Sequence, residues 1–153
     1  FDDRNMDLVD VVCVNNYPGW YSRDRDAVRP LDEIVPTLEQ IRKRVRDDRA
    51  LADKPIIISE IGAGAIYGWS DPLRAHWSEE YQAEYVGIVC REIVDNEDFA
   101  GVALWQFCDV RTYATAGALF RPRAFNNKGV LNEYRKPKRA YQTVRSIFRG
   151  GSA

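Results

Sequence analysis

Three short apolar runs, Leu8–Val14 (LVDVVCV), 55–59 (PIIIS) and 101–107 (GVALWQF), restrict what this chain can fold into more than any other feature. Each is rich in Val and Ile and apolar on both alternations, the pattern of a strand covered on both faces of a parallel sheet. Helical patterns separate them. Residues 30–48 place Ile34, Leu38, Ile41 and Val45 on one face at helical spacing, with Pro36 implying an irregular first turn or a late start. Residues 78–96 open with Ser78 as N-cap and Glu in the first turn, then stack Tyr81, Tyr85, Ile88 and Val89. A last helix over 137–148 begins with Pro137, a residue tolerated at a helix start. The order is β-α-β-α-β-α. It fits a small open sheet or part of a (β/α)8 barrel.

The polar residues at the strand ends discriminate. Asn15, Asn16 and Tyr17 follow the first run, Glu60 the second and Asp109 the third. Parallel α/β folds build their sites at that C-terminal edge, and the long loops 15–30, 61–77 and 108–136 lie on it. A closed barrel needs about 250 residues, and 153 residues are too few. They suffice for one domain with a real core, given 45% hydrophobic content, ending in a short polar tail at 150–153.

Charge and cysteine usage exclude several classes. With 22 basic against 23 acidic residues and a net charge of −1, nothing recommends nucleic acid or an anionic membrane as a partner. No segment is apolar enough to span a bilayer, the N-terminal FDDRNMD does not read as a signal peptide, and the compartment stays open. Cys13, Cys90 and Cys108 lack CxxC spacing and read as buried free thiols. His76 is the single histidine and reads as a loop-rim residue; no nucleophile elbow, metal cluster or phosphate loop accompanies it, so no cofactor is implied.

NNYPGWY, SEIGA, HWSEEYQ, ALWQFCDVRT and NNKGVLNEYRKPK, in this order and spacing, resemble the C-terminal part of the catalytic TIM barrel of family 2 glycoside hydrolases, the family of β-glucuronidases and β-galactosidases. The resemblance covers nearly the whole chain, 1–149, and implies a partial (β/α)8 barrel whose three parallel βα units are strands 6 to 8. It also implies retaining hydrolysis of terminal β-glycosides, closest to β-glucuronides, with a β-galactoside or another uronide as the alternative sugar.

Under this resemblance Glu60 is the nucleophile. A retaining glycosidase needs an ionised carboxylate on a rigid element, roughly 5–5.5 Å from a second carboxyl group, and a strand end supplies that rigidity. On spacing alone, a strand-end Glu equally reaches solvent or caps a loop. Tyr17 and Tyr21 bracket Pro18-Gly19, a tight-turn pair, and the family implies that Tyr17 orients the nucleophile while Tyr21 touches the sugar. Trp105, which pattern alone places in the core, becomes by resemblance the floor under the sugar. Asn15 and Asp109 either join the site or satisfy backbone groups at strand ends. Gly62 and Gly64 let the chain pass close to a sugar or serve as ordinary loop glycines.

Asn126 and Lys128 match the Asn-x-Lys pair with which β-glucuronidases take the uronate carboxylate, a task needing a charged and a neutral donor in fixed positions. Without the family, residues 121–129 read as a solvated cationic cluster, and the remaining charges, RKRVRDDR at 42–49 included, as helix surface. The family's acid/base Glu comes from an Asn-Glu pair on the fourth strand, upstream of Phe1; Asn96-Glu97 stands at a helix end and is not assigned. These residues alone are therefore expected to be inactive, with the rest of the barrel or another chain as partner beside the carbohydrate. Uncovered sheet flanks predict association into oligomers. The rival from another class is a non-catalytic barrel fragment serving as a binding or structural module.

Overall fold

A computed structural model describes residues 5–21, 30–112 and 121–150; parts of the expected loops at 15–30 and 108–136, and the tail beyond Gly150, lie outside them. Tertiary contacts divide the chain into two compact units, Phe1–Ile61 with Arg91–Ala103, and Gly62–Cys90 with Leu104–Ala153.

The first unit carries a parallel sheet in the order β1-β2-β3, with β1 at Val12–Asn15, β2 at Ile56–Ile61 and β3 at Phe99–Leu104. The three strands form one open sheet, not a closed barrel. Val12, Val14, Ile56 and Ile58 are buried and in register, while Cys13 and Asn15 are exposed. Burial on both faces, expected from the apolar runs, therefore does not hold: only one face is covered, because three strands cannot close around an interior. Cys13 stands on the open face, so of the three free thiols only Cys90 is fully buried.

Strand limits also shift. The first run becomes a strand only at Val12, where its N–H meets the carbonyl of Pro55; Met6–Leu8 forms a 3-10 turn held by Lys54 Nζ, which donates to the carbonyls of Met6 and Asp7. The third run leaves the sheet after Leu104. From there Gln106 N–H donates to Lys128 and Leu131 N–H to Phe107, so the chain takes a new partner and Trp105 lies outside the strand.

The helices follow their predicted faces. α1, Ile34–Arg46, is preceded by a 3-10 turn at Pro30–Glu33, and Pro36 sits in its first turn, where a missing N–H leaves no helical bond unmade. Ile34, Leu38, Ile41 and Val45 are buried as the spacing predicts. Its polar face is not all solvent. Arg46 donates to Asp98 Oδ1 and to the carbonyls of Ala52, Lys54 and Asp98, and Arg42 adds a bond to Asp98 Oδ2. These contacts tie α1 to the turns before β2 and β3 and hold the Asp98 carboxyl below its ordinary range.

α2, Glu79–Val94, starts as predicted: Ser78 Oγ accepts the N–H of Tyr81 at 3.1 Å, and Tyr81, Tyr85 and Val89 are buried. In the second unit, β4 (Val110–Arg111) and β5 (Phe125–Asn126) form an antiparallel pair that no periodicity announces. α3 spans Arg139–Phe148 with extended Lys138 as N-cap. Pro137 thus precedes the helix instead of opening it, because it bridges Leu131 while Lys138 N–H binds the carbonyl of Val130.

Candidate active site

In the first unit, β2 presents Glu60. Strict alternation from Ile56 and Ile58 would send this side chain to the covered face. The register instead slips between Val14 and Asn15, so that Ile58 faces Val14 but Glu60 faces Asn15. One extra residue on β2 acts as a β-bulge: it turns Glu60 to the open face and returns Ile61, fully buried, to the core.

The carboxylate is held on both oxygens. Tyr17 Oη donates a short hydrogen bond to Oε1, and Asn15 Nδ2 donates to Oε2 at 3.4 Å. Ser59 Oγ in turn donates to Asn15 Oδ1 at 2.7 Å, which leaves the Asn15 amide to face Glu60. Tyr17 reaches this position through the turn behind it. Gly19 at φ +72 occupies the position after proline that a type II turn requires, Trp20 N–H returns to the carbonyl of Tyr17, and a Cβ on Gly19 would sit 2.5 Å from the Pro30 carbonyl. The Tyr21 ring meets Tyr17 edge-on at 5.3 Å and is 60% exposed, so a surface for an outside group exists beside the carboxylate's donor.

The second unit holds the other predicted residues. Trp105 is 40% exposed just past β3, which corrects its reading as a core residue on pattern. A Cβ on Gly62 would stand 2.1 Å from the Trp105 carbonyl oxygen, so this glycine is needed for the close approach of two chain segments. Asn126 and Lys128 are both largely buried, and Asn126 Oδ1 accepts the Lys128 N–H. Arg123 belongs to the surface, stacked over Phe125 and paired with Glu133. His76 is exposed at a loop edge against Trp77 and Tyr81.

Lys138, which the sequence offers only as one more surface charge, is fully buried. Its Nζ donates to Ala65 O at 2.7 Å, Asp109 Oδ1 at 2.8 Å and Asn127 O at 3.0 Å. Asp109 also accepts the N–H of Gly129 at 2.9 Å, so it does serve backbone groups. Burial dominates its chemistry: desolvation pushes the Asp109 carboxyl up to about 6 against the opposing pull of Lys138, and the same burial lowers the Lys138 ammonium. Gln82 was also unforeseen; its buried amide donates to the carbonyls of Ala63 and Gly129. The only available signal for either residue was its presence in the family-like strings HWSEEYQ and RKPK.

A strand-end carboxylate with two donors and an exposed tyrosine beside one of them resembles a carbohydrate site, and a family model described as "Glycosyl hydrolases family 2, TIM barrel domain" matches residues 1–150. The chain belongs to this family. Among proteins similar to this family 2 chain is a β-glucuronidase of Streptococcus agalactiae, 33% identical over 137 residues, which are 89% of this chain and 21% of that one. A β-glucuronidase of Paenibacillus borealis is 34% identical over 138 residues, 90% of this chain and 21% of that one. Of solved structures, a β-galacturonidase from Eisenbergiella tayi bound to galacturonate superimposes with a TM-score of 0.82 at 37% identity, covering 96% of this chain and 25% of its own. A Faecalibacterium prausnitzii β-glucuronidase gives 0.80 at 26% identity, over 97% and 23% of the two chains. The family 2 chain thus spans 21% of the length of these curated relatives.

Proposed function

We propose that this chain supplies the nucleophile and the sugar-recognition residues of a retaining β-glycosidase acting on terminal β-uronides, β-glucuronides first. One observation carries the reading: Glu60, turned out of the core by a bulge, has a donor on each carboxylate oxygen. Donors on both oxygens fix the direction from which the carboxylate can attack.

In the reaction, a Glu60 oxygen bonds to the anomeric carbon as the glycosidic C–O bond breaks, and a general acid protonates the departing oxygen. Water then attacks the same carbon, giving its proton to the former acid and freeing Glu60. Tyr17 and Asn15 orient the nucleophile, Tyr21 and Trp105 pack against the sugar, and Asn126 with Lys128 takes the carboxylate. The general acid is assigned to no residue of this chain and is supplied by the rest of the barrel or by another chain. A galacturonide is the second reading, favoured by likeness to the galacturonate-bound Eisenbergiella tayi structure.

A 2-deoxy-2-fluoroglucuronyl fluoride, incubated with the active polypeptide that carries this segment, tests the assignment. The expected result is a covalent adduct on the peptide containing Glu60, found by mass spectrometry. Label on another carboxylate would refute it.

A further inference from the structure

The buried pair Lys138–Asp109 does more than any stabilising role requires. Replacing a buried ion pair with well-packed apolar residues is often neutral or favourable, so such a pair is weak evidence of a stability device. What distinguishes this one is where its bonds go. Lys138 Nζ takes the carbonyl of Asn127, the residue before Lys128, and Asp109 Oδ1 takes the N–H of Gly129, the residue after it. Both backbone neighbours of Lys128 are therefore tied to one salt bridge that is 0% and 2% exposed.

Further bonds converge on the same short segment. Ala65 N–H also donates to Asn127 O, and Gln106 N–H donates to the Lys128 carbonyl itself. A Cβ on Gly129 would stand 2.2 Å from the Asp109 nitrogen, so the segment is pressed against the residue that holds it. Fixing the peptides on either side of a residue fixes the direction of its Cα–Cβ bond. That is what recognition of a carboxylate by a charged and a neutral donor in fixed positions requires.

We infer that Lys138 and Asp109 are positioning residues for sugar selectivity, acting through the backbone of Asn127 and Gly129 to aim Asn126 and Lys128 at a uronate carboxylate. The inference rests on the uronide reading given above. Neither residue touches the substrate. Their loss should weaken recognition of the carboxylate and spare the chemistry at Glu60.

Lys138→Met and Lys128→Ala, made in the complete active polypeptide, test this with p-nitrophenyl β-glucuronide and p-nitrophenyl β-galactoside. For Lys138→Met, KM for the glucuronide is expected to rise about tenfold or more with a smaller change in kcat, and the glucuronide-to-galactoside ratio of kcat/KM to fall in parallel. Lys128→Ala should collapse the same ratio. Equal losses on both sugars with KM unchanged in Lys138→Met, while Lys128→Ala collapses the ratio, would overturn the positioning role and leave the uronide reading standing. An unchanged ratio in Lys128→Ala would refute the uronide reading itself, and the inference with it. If Lys138→Met does not fold, the double variant Asp109→Asn with Lys138→Met, which strands no buried ion, is read by the same ratio and the same KM.

Discussion

The Tyr17 hydroxyl donates to Glu60 Oε1 across two parallel strands, from a residue just beyond β1 to one near the end of β2. Hydrogen bonds to charged groups contribute about 1.5–3 kcal/mol. Tyr17→Phe should therefore lower kcat/KM on an aryl glucuronide by about ten- to a hundredfold. The thermal midpoint should fall by only a few degrees, since the ring and its edge-on contact with Tyr21 remain and the loss is confined to one hydrogen bond. Full activity in this variant would mean that the bond does not serve the reaction.

Burial of Asp109 makes stability depend on pH in an unusual direction. Below the ordinary aspartate range, folded and unfolded chains both hold the proton. Between about 4 and about 6 the unfolded chain has released it and the folded chain has not, so stability falls as pH rises through this window and levels off above it, by on the order of 2–3 kcal/mol. Glu80, Asp98 and Glu133 are shifted downward, mainly by hydrogen bonds, and act oppositely: their contribution is present above the ordinary carboxylate range and is lost as pH falls below it. Urea midpoints measured from pH 4 to 7 should show the decline in the parent and lack it in Asp109→Asn.

Gly62→Ala puts a methyl group 2.1 Å from the Trp105 carbonyl oxygen, and the obstacle is backbone, which cannot simply rotate away. Overpacking of this kind costs about 1–3 kcal/mol. If Trp105 floors the sugar, kcat/KM should drop even under conditions where the variant is fully folded. Denaturant melts alongside kinetics separate the two effects; a variant as stable and active as the parent would contradict the close approach.

Much of this architecture was legible because its causes are local. The Ile34, Leu38, Ile41, Val45 stripe, the Ser78 cap and the Pro18-Gly19 turn each depend on residues within a few positions of one another. Glu60 was legible as a strand-end carboxylate, and the family strings named its partners. Lys138 was not legible, since a lysine's sequence neighbours do not reveal that its three donors meet Ala65, Asp109 and Asn127.

The sequence by itself determined the strand-helix alternation, the helix faces, the glycine turn and the family, all of which follow from periodicity, backbone preference and ordered motifs. Tertiary structure alone decided which way Glu60 faces, that Trp105 stands outside its strand, that β4 pairs with β5, and that a surface-like lysine lies buried against Asp109 and the carbonyls of Ala65 and Asn127. The reason is physical: a bulge, a change of strand partner and a buried ion pair each depend on groups that become neighbours only after folding, and no local pattern records which group will be there.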